Sequence, residues 1–243
     1  AVRSQMQQLL FTGSEQLGGQ SHGLHYVHGS IGCMSVPLLV FLHGLGQTPQ
    51  SWQDQITALP AGTRAVAPWL EGLRPGRPAD FDLEKAADAV LAQLNRFGLD
   101  RAALTGSGLG AAVAIAAAGR SPDAVSHLVL SDPMPRTPRL AGALQRLAVR
   151  AMPAGKLADA GLDRARMIEL MRVASGIDVR RWLPAVTART LVVAGSQPAI
   201  VAVARELADG IPEARLETVP EAGAFVPQEA PTAFNELLYE FLG

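Results

Sequence analysis

The chain has 243 residues, of which 48% are hydrophobic and 18% are charged. This composition excludes an intrinsically disordered protein, and the length allows one large domain with a sizeable core. The net charge of −1 argues against a dedicated nucleic-acid-binding protein, and the single cysteine, Cys33, excludes an intrachain disulfide and a thiolate zinc cluster. No apolar run approaches 18 residues, so we expect no membrane segment. We also expect a cytoplasmic protein that has no metal and no cofactor.

Short apolar runs alternate with longer helical patterns along most of the chain. Strands are predicted at residues 24–27, 38–42, 64–67, 102–105, 127–130, 190–194 and 215–219. Helices are predicted between them, at residues 50–59, 83–96, 109–118, 200–207 and 231–241. Several of these strands are continuously apolar, which is typical of parallel strands with helices on both faces. The alternation therefore predicts an α/β fold with a mostly parallel central sheet.

The alternation stops within residues 133–187, where two helical patterns follow each other without a strand. Three leucines between Leu140 and Leu147 are spaced at i, i+4 and i+7, which places them on one face of a helix. We predict an inserted lid or cap subdomain of about three short helices. The α/β core is then formed by residues 1–132 together with residues 188–243.

The predicted lid is rich in arginine. Residues 134–189 carry eleven basic and four acidic side chains, a surplus of +7, whereas the rest of the chain carries ten basic and eighteen acidic side chains, a net −8. The near-neutral total thus conceals a segregation of charge. The basic lid either docks an acidic ligand or partner or consists of solvated helix faces, and the latter is favoured.

Two strand-to-loop junctions carry the residues of chemical interest. Residues 43–46 (His-Gly-Leu-Gly) follow a buried strand, and residues 106–110 (Gly-Ser-Gly-Leu-Gly) separate a strand from an alanine-rich helix. With these motifs, nearly the whole chain resembles the α/β-hydrolase fold family, in its short-lid esterase and acyl-hydrolase branch. Other matching segments, in the family's order, are residues 24–29, 65–70, 190–195 and 222–225, with Pro231 and Phe234.

The resemblance implies a Ser-Asp-His catalytic triad, but the matching positions hold other residues. Gly108 occupies the position of the nucleophile in the elbow pattern, Pro198 that of the acid and Ala224 that of the histidine. Because a serine is a poor nucleophile without a base, and the base needs an orienting acid, this degenerate triad predicts that conventional hydrolysis is lost. Ser107 and Asp132 are the candidate substitutes for nucleophile and acid.

The family's oxyanion hole depends on backbone N–H groups, so it can survive the loss of the triad. By resemblance, the two donors belong to Leu45 and Leu109. We therefore predict a non-hydrolytic protein that binds a small carbonyl-bearing ligand, either a pseudoenzyme or a cofactor-free lyase, isomerase or cyclase. The alternatives are an esterase or acyl hydrolase with displaced catalytic residues and an interaction module with an arginine-rich lid. Candidate pocket residues are His43, Trp69, Trp182 and Phe225.

Residues 106–111 also fit the dinucleotide-binding pattern G-x-G-x-x-G/A, with Asp132 about where a ribose-binding acid is expected. That pattern normally opens a βαβ unit, whereas here it lies in the middle of the chain. The hydrolase-like motifs on both sides account for the same glycines, so binding of a nicotinamide cofactor is not expected. A further alternative is that these glycines serve only strand–helix packing.

Overall fold

A seven-stranded sheet forms the centre of the molecule in our computed structural model, which describes residues 10–12, 38–77, 79–136, 139–151 and 163–243. The strands are β1 (Leu10–Thr12), β2 (Leu39–Leu42), β3 (Arg64–Val66), β4 (Ala102–Ser107), β5 (Val125–Ser131), β6 (Arg189–Gly195) and β7 (Arg215–Val219). Their order across the sheet is β1-β3-β2-β4-β5-β6-β7. The β1 strand is antiparallel to β3, and the other neighbouring pairs are parallel.

Eight helices accompany the sheet within the described residues. They are α1 (Gln53–Thr57), α2 (Leu83–Arg96), α3 (Leu109–Arg120), α4 (Arg139–Ala151), α5 (Arg164–Val173), α6 (Pro198–Asp209), α7 (Val226–Glu229) and α8 (Pro231–Leu242). The predicted α/β fold, a mostly parallel sheet flanked by helices, is confirmed. The long helices begin and end near the predicted positions because buried apolar residues and helix-capping positions define them, as in the Asp82 side chain that accepts the Lys85 N–H at 2.9 Å.

Helices cover both faces of the sheet. On one face, alternate strand residues such as Val40 and Leu104 pack with α2, α3 and α6. On the other face, Phe41 and Val193 pack with α1 and α8, where Phe234 is fully buried. Because helices cover both sides of the central strands, those strands are mainly apolar, and their polar residues, such as Thr105 and Ser131, are buried as well. The sheet is thus a rigid platform whose strand ends can hold a site.

Two observed elements differ from the predictions, and one predicted strand is not tested. The predicted helix at residues 50–59 is a 3-10 turn, Pro49–Trp52, followed by the short helix α1. The short edge strand β1 was not predicted, because three residues are too few to show an alternating pattern. The predicted strand at residues 24–27 lies outside the described residues.

Two helices, α4 and α5, lie between β5 and β6, where the sequence predicts a lid. The division into a core and a lid subdomain remains a prediction. The α5 helix is attached to the loop that follows β3, because the guanidinium of Arg166 donates to the carbonyl oxygens of Leu73, Arg74 and Arg77. No helix of the described residues is long and apolar enough to span a membrane.

Candidate functional site

A sharp turn joins β4 to α3 at the centre of the sheet. Gly108 forms this turn with φ 52° and ψ −112°, and α3 begins at the next residue, Leu109. The Gly108 N–H donates to the carbonyl oxygen of Ser131 at 2.9 Å, which ties the turn to the end of β5. Such a positive φ is strained for a residue with a side chain, and it is the backbone geometry of a nucleophile elbow.

The three glycines of the elbow are explained by different physical constraints. A Cβ atom on Gly106 would lie 2.5 Å from the carbonyl carbon of Gly110, and a Cβ on Gly110 would overlap the carbonyl oxygen of Leu42. These two glycines allow β4, α3 and β2 to approach closely. At Gly108 the nearest atom to a Cβ is the Gly44 Cα at 3.9 Å, so a side chain there would have space. Packing therefore explains the outer glycines, and only backbone angle constrains the central one.

A cavity of about 540 Å³ lies above the elbow, within the size range of small-molecule sites. Most of its lining is apolar, and its polar side chains are Ser107 and Asp132. The lining comes from the loop after β2, the elbow, the loop after β5, α5, α6 and the loop after β7. It comprises Gly44, Leu45, Ser107, Gly108, Leu109, Ala112, Asp132, Pro133, Met134, Met171, Ala174, Ile177, Ala199, Ile200, Val203, Ala204, Ala224 and Phe225.

The two predicted oxyanion donors, Leu45 and Leu109, both line this cavity. Neither backbone N–H donates a hydrogen bond to another group in the described part of the chain. The N–H of the neighbouring Gly44 is already used, since it donates to the Gln47 Oε1 at 2.8 Å. Leu109 also lies at the N-terminus of α3, where the helix dipole favours negative charge. The cavity can therefore hold a carbonyl oxygen or an oxyanion at these amides.

Among the described residues that line the cavity, Asp132 carries the one ionisable group. It follows β5 with φ 51°, and its Oδ2 accepts a hydrogen bond from the Ser131 hydroxyl at 3.2 Å. Its Oδ1 is buried and has no hydrogen-bond partner among the described residues. Burial is the main cause that raises the pKa of Asp132 to about 7, and the negative charge of Glu229 also raises it. The hydroxyls of Ser131 and Ser107 and the backbone of Val226 lower the same pKa, and Ser131 has the largest of these opposing effects.

Ser107 is the last residue of β4 and lies beside Ser131 in the parallel register. Its side chain is buried at the floor of the cavity. The hydroxyl is close enough to Asp132 to lower the pKa of that carboxyl, but Oγ forms no hydrogen bond of normal geometry within the described structure. The structure thus brings both candidate substitutes, Ser107 and Asp132, to one cavity.

His43 does not take part in the cavity. Its Nδ1 lies 3.0 Å from the Gly44 carbonyl oxygen, and its Nε2 accepts the Leu70 N–H at 3.2 Å, so both ring nitrogens are engaged. Burial lowers the pKa of His43, which keeps the ring neutral. The ring packs edge-on against Trp69, 5.2 Å between centroids. His43 and Trp69 are therefore not among the residues that line this cavity, and His43 instead joins the loop after β2 to Leu70.

Trp182 also lies outside the cavity. Its Cβ is so close to Gly119 that a methyl group there would come within 2.6 Å of it, and the Arg181 guanidinium covers its ring at 4.0 Å. Trp182 instead lines a second cavity, together with residues at the start of α2 and residues that follow α5. Of the four candidates, Phe225 does line the cavity, and its side chain is exposed at the rim.

Of the positions predicted for the acid and the histidine, Ala224 lines the cavity and Pro198 does not. Pro198 is the first residue of α6, and the cavity is lined by the next two residues of that helix. Ala224 lines the cavity beside Phe225. Sequence reasoning did not find that Glu229 fixes this loop, since its carboxylate accepts the N–H groups of Gly223 and Phe225. The one sequence feature that could have indicated this contact is the acidic Glu229 itself, in the short helix directly after the loop.

Most arginines around the predicted lid are bound to local partners. Arg146 donates to Ser175 Oγ at 2.6 Å. Arg180 pairs with Asp178, and Arg181 pairs with Glu84, each at 2.5 Å. These are exposed pairs, which contribute little to stability. They agree better with solvated helix faces than with an open basic surface.

Comparison with known proteins gives a consistent family. A model described as "Alpha/beta hydrolase family" matches residues 39–237. A Pseudomonas putida protein, the dihydrolipoyllysine-residue acetyltransferase component of an acetoin cleaving system, is 29% identical over 234 residues, covering 84% of this chain and 63% of its own length. The pimeloyl-[acyl-carrier protein] methyl ester esterase of Aromatoleum aromaticum is 42% identical over 103 residues, covering 42% of this chain and 39% of its own length. The chain thus spans less than two thirds of these curated relatives.

Solved structures share the fold along most of the chain. The enol-lactonase of Burkholderia xenovorans LB400 superposes with a TM-score of 0.73 at 20% identity, covering 89% of this chain and 93% of that one. A hydrolase of Pseudomonas aeruginosa PA01 gives a TM-score of 0.73 at 23% identity, covering 87% and 92%. At these identities the likeness establishes the fold alone.

Proposed function

We propose a non-hydrolytic role for this chain, which belongs to the alpha/beta hydrolase family. In this role the cavity binds a small, largely apolar compound and holds its carbonyl oxygen at the N–H groups of Leu45 and Leu109. The observation that supports the proposal is the elbow, which brings Leu109 to the same cavity as Leu45 while its apex is a glycine, Gly108. The protein is then either a pseudoenzyme or a cofactor-free lyase, isomerase or cyclase.

The residues at the site support the absence of hydrolysis. Gly108 offers no nucleophile, and Ala224 offers no base where the family has histidine. His43 cannot replace that base, because both of its ring nitrogens are engaged in hydrogen bonds. An unassisted serine hydroxyl stays protonated at neutral pH and attacks carbonyl carbon poorly.

The apolar lining and the free amides support a carbonyl-bearing ligand. Two unpaired N–H groups in a closed pocket would each cost about 1–3 kcal/mol, a cost that a ligand oxygen removes. Two of the similar proteins, a methyl ester esterase and an enol-lactonase, are named for substrates that contain a carbonyl group. A ligand of the same general chemistry fits this cavity.

The test uses 4-phenyl-2-butanone with a ¹³C-labelled carbonyl as a probe. Infrared difference spectra should show saturable binding, with the carbonyl band at lower wavenumber than in an apolar solvent, because the amides polarise the C=O bond. Ala224→Trp, at the cavity rim, should abolish binding by filling the mouth. Ala61→Trp, at an exposed turn, is the matched control and should bind as the parent does. A bound ketone with an unshifted carbonyl band would rule out the amide anchor.

A second candidate is an esterase that uses Ser107 and Asp132, and the shared location of these two residues at the cavity favours it. Under this alternative, Ser107→Ala should remove hydrolysis of p-nitrophenyl butyrate from the parent protein. If the parent hydrolyses this ester no faster than the Ser107→Ala variant, the second candidate fails. A third candidate, an arginine-rich interaction surface for an acidic partner, has less support because Arg146, Arg180 and Arg181 already have local partners.

A further inference from the structure

The cavity places a carboxyl group next to the two backbone donors. Gly108 and Ser131 are joined by a hydrogen bond of 2.9 Å at the ends of adjacent strands. Leu109 directly follows Gly108, and Asp132 directly follows Ser131. The carboxyl of Asp132 and the amide of Leu109 therefore reach the same cavity from positions that the sheet fixes relative to each other.

We propose that Asp132 is a general base, and then a general acid, for a carbon atom next to the carbonyl of the bound ligand; this inference rests on the proposed function. The C–H bond breaks, its proton forms an O–H bond with the carboxylate, and the electron pair moves to the carbonyl oxygen. The resulting enolate is held by the N–H groups of Leu45 and Leu109. The carboxyl then returns the proton to the same carbon or to another carbon of the conjugated system, so the reaction class is isomerisation and no co-reactant is consumed.

The hydrogen bonds of Asp132 leave one oxygen available for this step. Ser131 donates to Oδ2, which orients the carboxyl group, whereas Oδ1 is buried and unpartnered in the described structure. The surrounding lining is apolar, so a proton transfer would compete little with water. Backbone donors aimed at a developing oxyanion stabilise it strongly in such surroundings.

Ionisation of Asp132 also suits a group that must take up and return a proton. A pKa of about 7 leaves both the carboxylate and the acid well populated at neutral pH. The charged neighbour that affects this carboxyl is Glu229, which raises its pKa. Glu229 is itself committed to the N–H groups of Gly223 and Phe225 and does not line the cavity, so it acts by its charge.

Deuterium exchange provides the test. The full chain is incubated in D₂O with 4-phenyl-2-butanone, and exchange at the carbons next to the carbonyl is followed by ¹H NMR. The parent should exchange at least tenfold faster than buffer. Asp132→Asn should fall to the buffer rate while its dissociation constant for the ketone changes less than threefold, because asparagine keeps the shape and tolerates a positive φ. Asp123→Asn, an exposed residue before β5, is the control and should exchange as the parent does.

The pH profile separates proton transfer from a merely structural role. The parent's exchange rate should rise with pH through about 7 and then level, because the carboxylate is the active form. Ketone binding without faster exchange, or fast exchange retained in Asp132→Asn, would overturn this inference and leave the proposed function intact. A ketone that does not bind the parent would overturn the proposed function and this inference together.

Discussion

The carboxyl group of Asp132 has an unfavourable position for a charge. It lies in a largely apolar cavity, and burial raises its pKa from the ordinary value of 3.8 to about 7. The other polar side chain among the described lining residues is Ser107, a hydroxyl without charge, so Asp132 dominates the electrostatics of this lining. Its stability effect follows from the direction of the pKa shift.

Because the folded protein holds the Asp132 proton more tightly than the unfolded chain does, stability should fall as pH rises from about 4 to about 7. The stabilising contribution is complete below the unfolded pKa and is lost above the folded pKa. Asp132→Asn removes this dependence. Its free energy of unfolding should exceed that of the parent at pH 8, by up to about 4 kcal/mol from the linkage relation, and the difference should vanish near pH 4.

Urea denaturation of both proteins at pH 4, 6 and 8 measures this difference. Asp123→Asn, an exposed aspartate at the opposite end of β5, serves as the control and should show no such trend. A difference between parent and Asp132→Asn that is the same at all three pH values would show that Asp132 does not titrate as described.

The sequence identified candidate residues of the site, but not the burial and the neighbours of their side chains. Ser107, Asp132, Leu45 and Leu109 were singled out from motifs and strand ends, and these do meet at one cavity. The pKa of Asp132 depends on burial and on Glu229, which is 97 positions away along the chain, so no local pattern could show it. The two tryptophans are partly buried and contact His43 and Gly119 instead of this cavity, because a large aromatic side chain packs on many surfaces as readily as it lines a pocket.

Among the secondary-structure elements, the elbow between β4 and α3 makes the most stringent demands on the sequence. Its outer glycines are required by close approach of backbones, and its central glycine lies at a positive φ with open space around it. This difference allows the packing and the conformational contributions to be measured separately by the same substitution.

Gly110→Ala should destabilise the protein by more than 3 kcal/mol or prevent folding, since the new methyl group would overlap the Leu42 carbonyl oxygen and the β2 backbone cannot move easily. Gly108→Ala should cost only about 1–3 kcal/mol, the strain of a positive φ. Chemical denaturation, or the soluble yield of Gly110→Ala, provides the comparison. Equal losses in the two variants would contradict the separation of packing from backbone strain.

The α5 helix has its own anchor. Arg166 donates to three carbonyl oxygens of the loop after β3, and the Glu169 carboxylate accepts the Ala79 N–H at 2.8 Å. Arg166→Ala should cost about 1–3 kcal/mol, because three hydrogen bonds from a charged donor are lost. Arg172→Ala, an exposed position on the same helix, should stay within about 0.5 kcal/mol of the parent. Urea unfolding measures both; similar effects would mean that the anchor contributes nothing.

At the scale of elements, periodicity was a good guide where it was long. The helix α2 and the strand β7 have the predicted bounds, since each combines a regular apolar pattern with clear ends. The 3-10 turn before α1 was not predicted, because the helical pattern of the sequence stays recognisable across Pro49 and Trp52. Contacts such as those of Arg166 join segments that are far apart along the chain, so a local sequence pattern does not show them.

The whole molecule has a hydrolase-family scaffold, and Gly108, Pro198 and Ala224 lie where the resemblance predicts the triad residues. The ordered motifs were sufficient to predict the fold, because each motif marks a strand end of the parallel sheet. The fold does not specify the chemistry, which depends on a few side chains at those ends. The scaffold should therefore regain hydrolysis when suitable side chains are restored.

Gly108→Ser with Ala224→His should give measurable hydrolysis of p-nitrophenyl butyrate, since Asp132 already lines the cavity and can serve as the acid. Gly108→Ser alone should remain near background, because members of a triad act as a unit. Adding Asp132→Asn to the double variant should reduce its rate at least tenfold. Adding Pro198→Asp instead tests the acid position first predicted. A folded double variant no faster than Gly108→Ser would show that these positions do not form a triad.

The central claim, that the natural cavity binds a carbonyl group without a competent nucleophile, is tested most directly by fluorophosphonate labelling. The parent protein is incubated with an excess of the reagent at pH 8, and its intact mass is measured, with the double variant Gly108→Ser, Ala224→His as the positive control. We expect an unchanged mass for the parent and a single adduct for the double variant. A stoichiometric adduct on the parent, located at Ser107 by peptide mapping, would contradict the account and establish a displaced nucleophile.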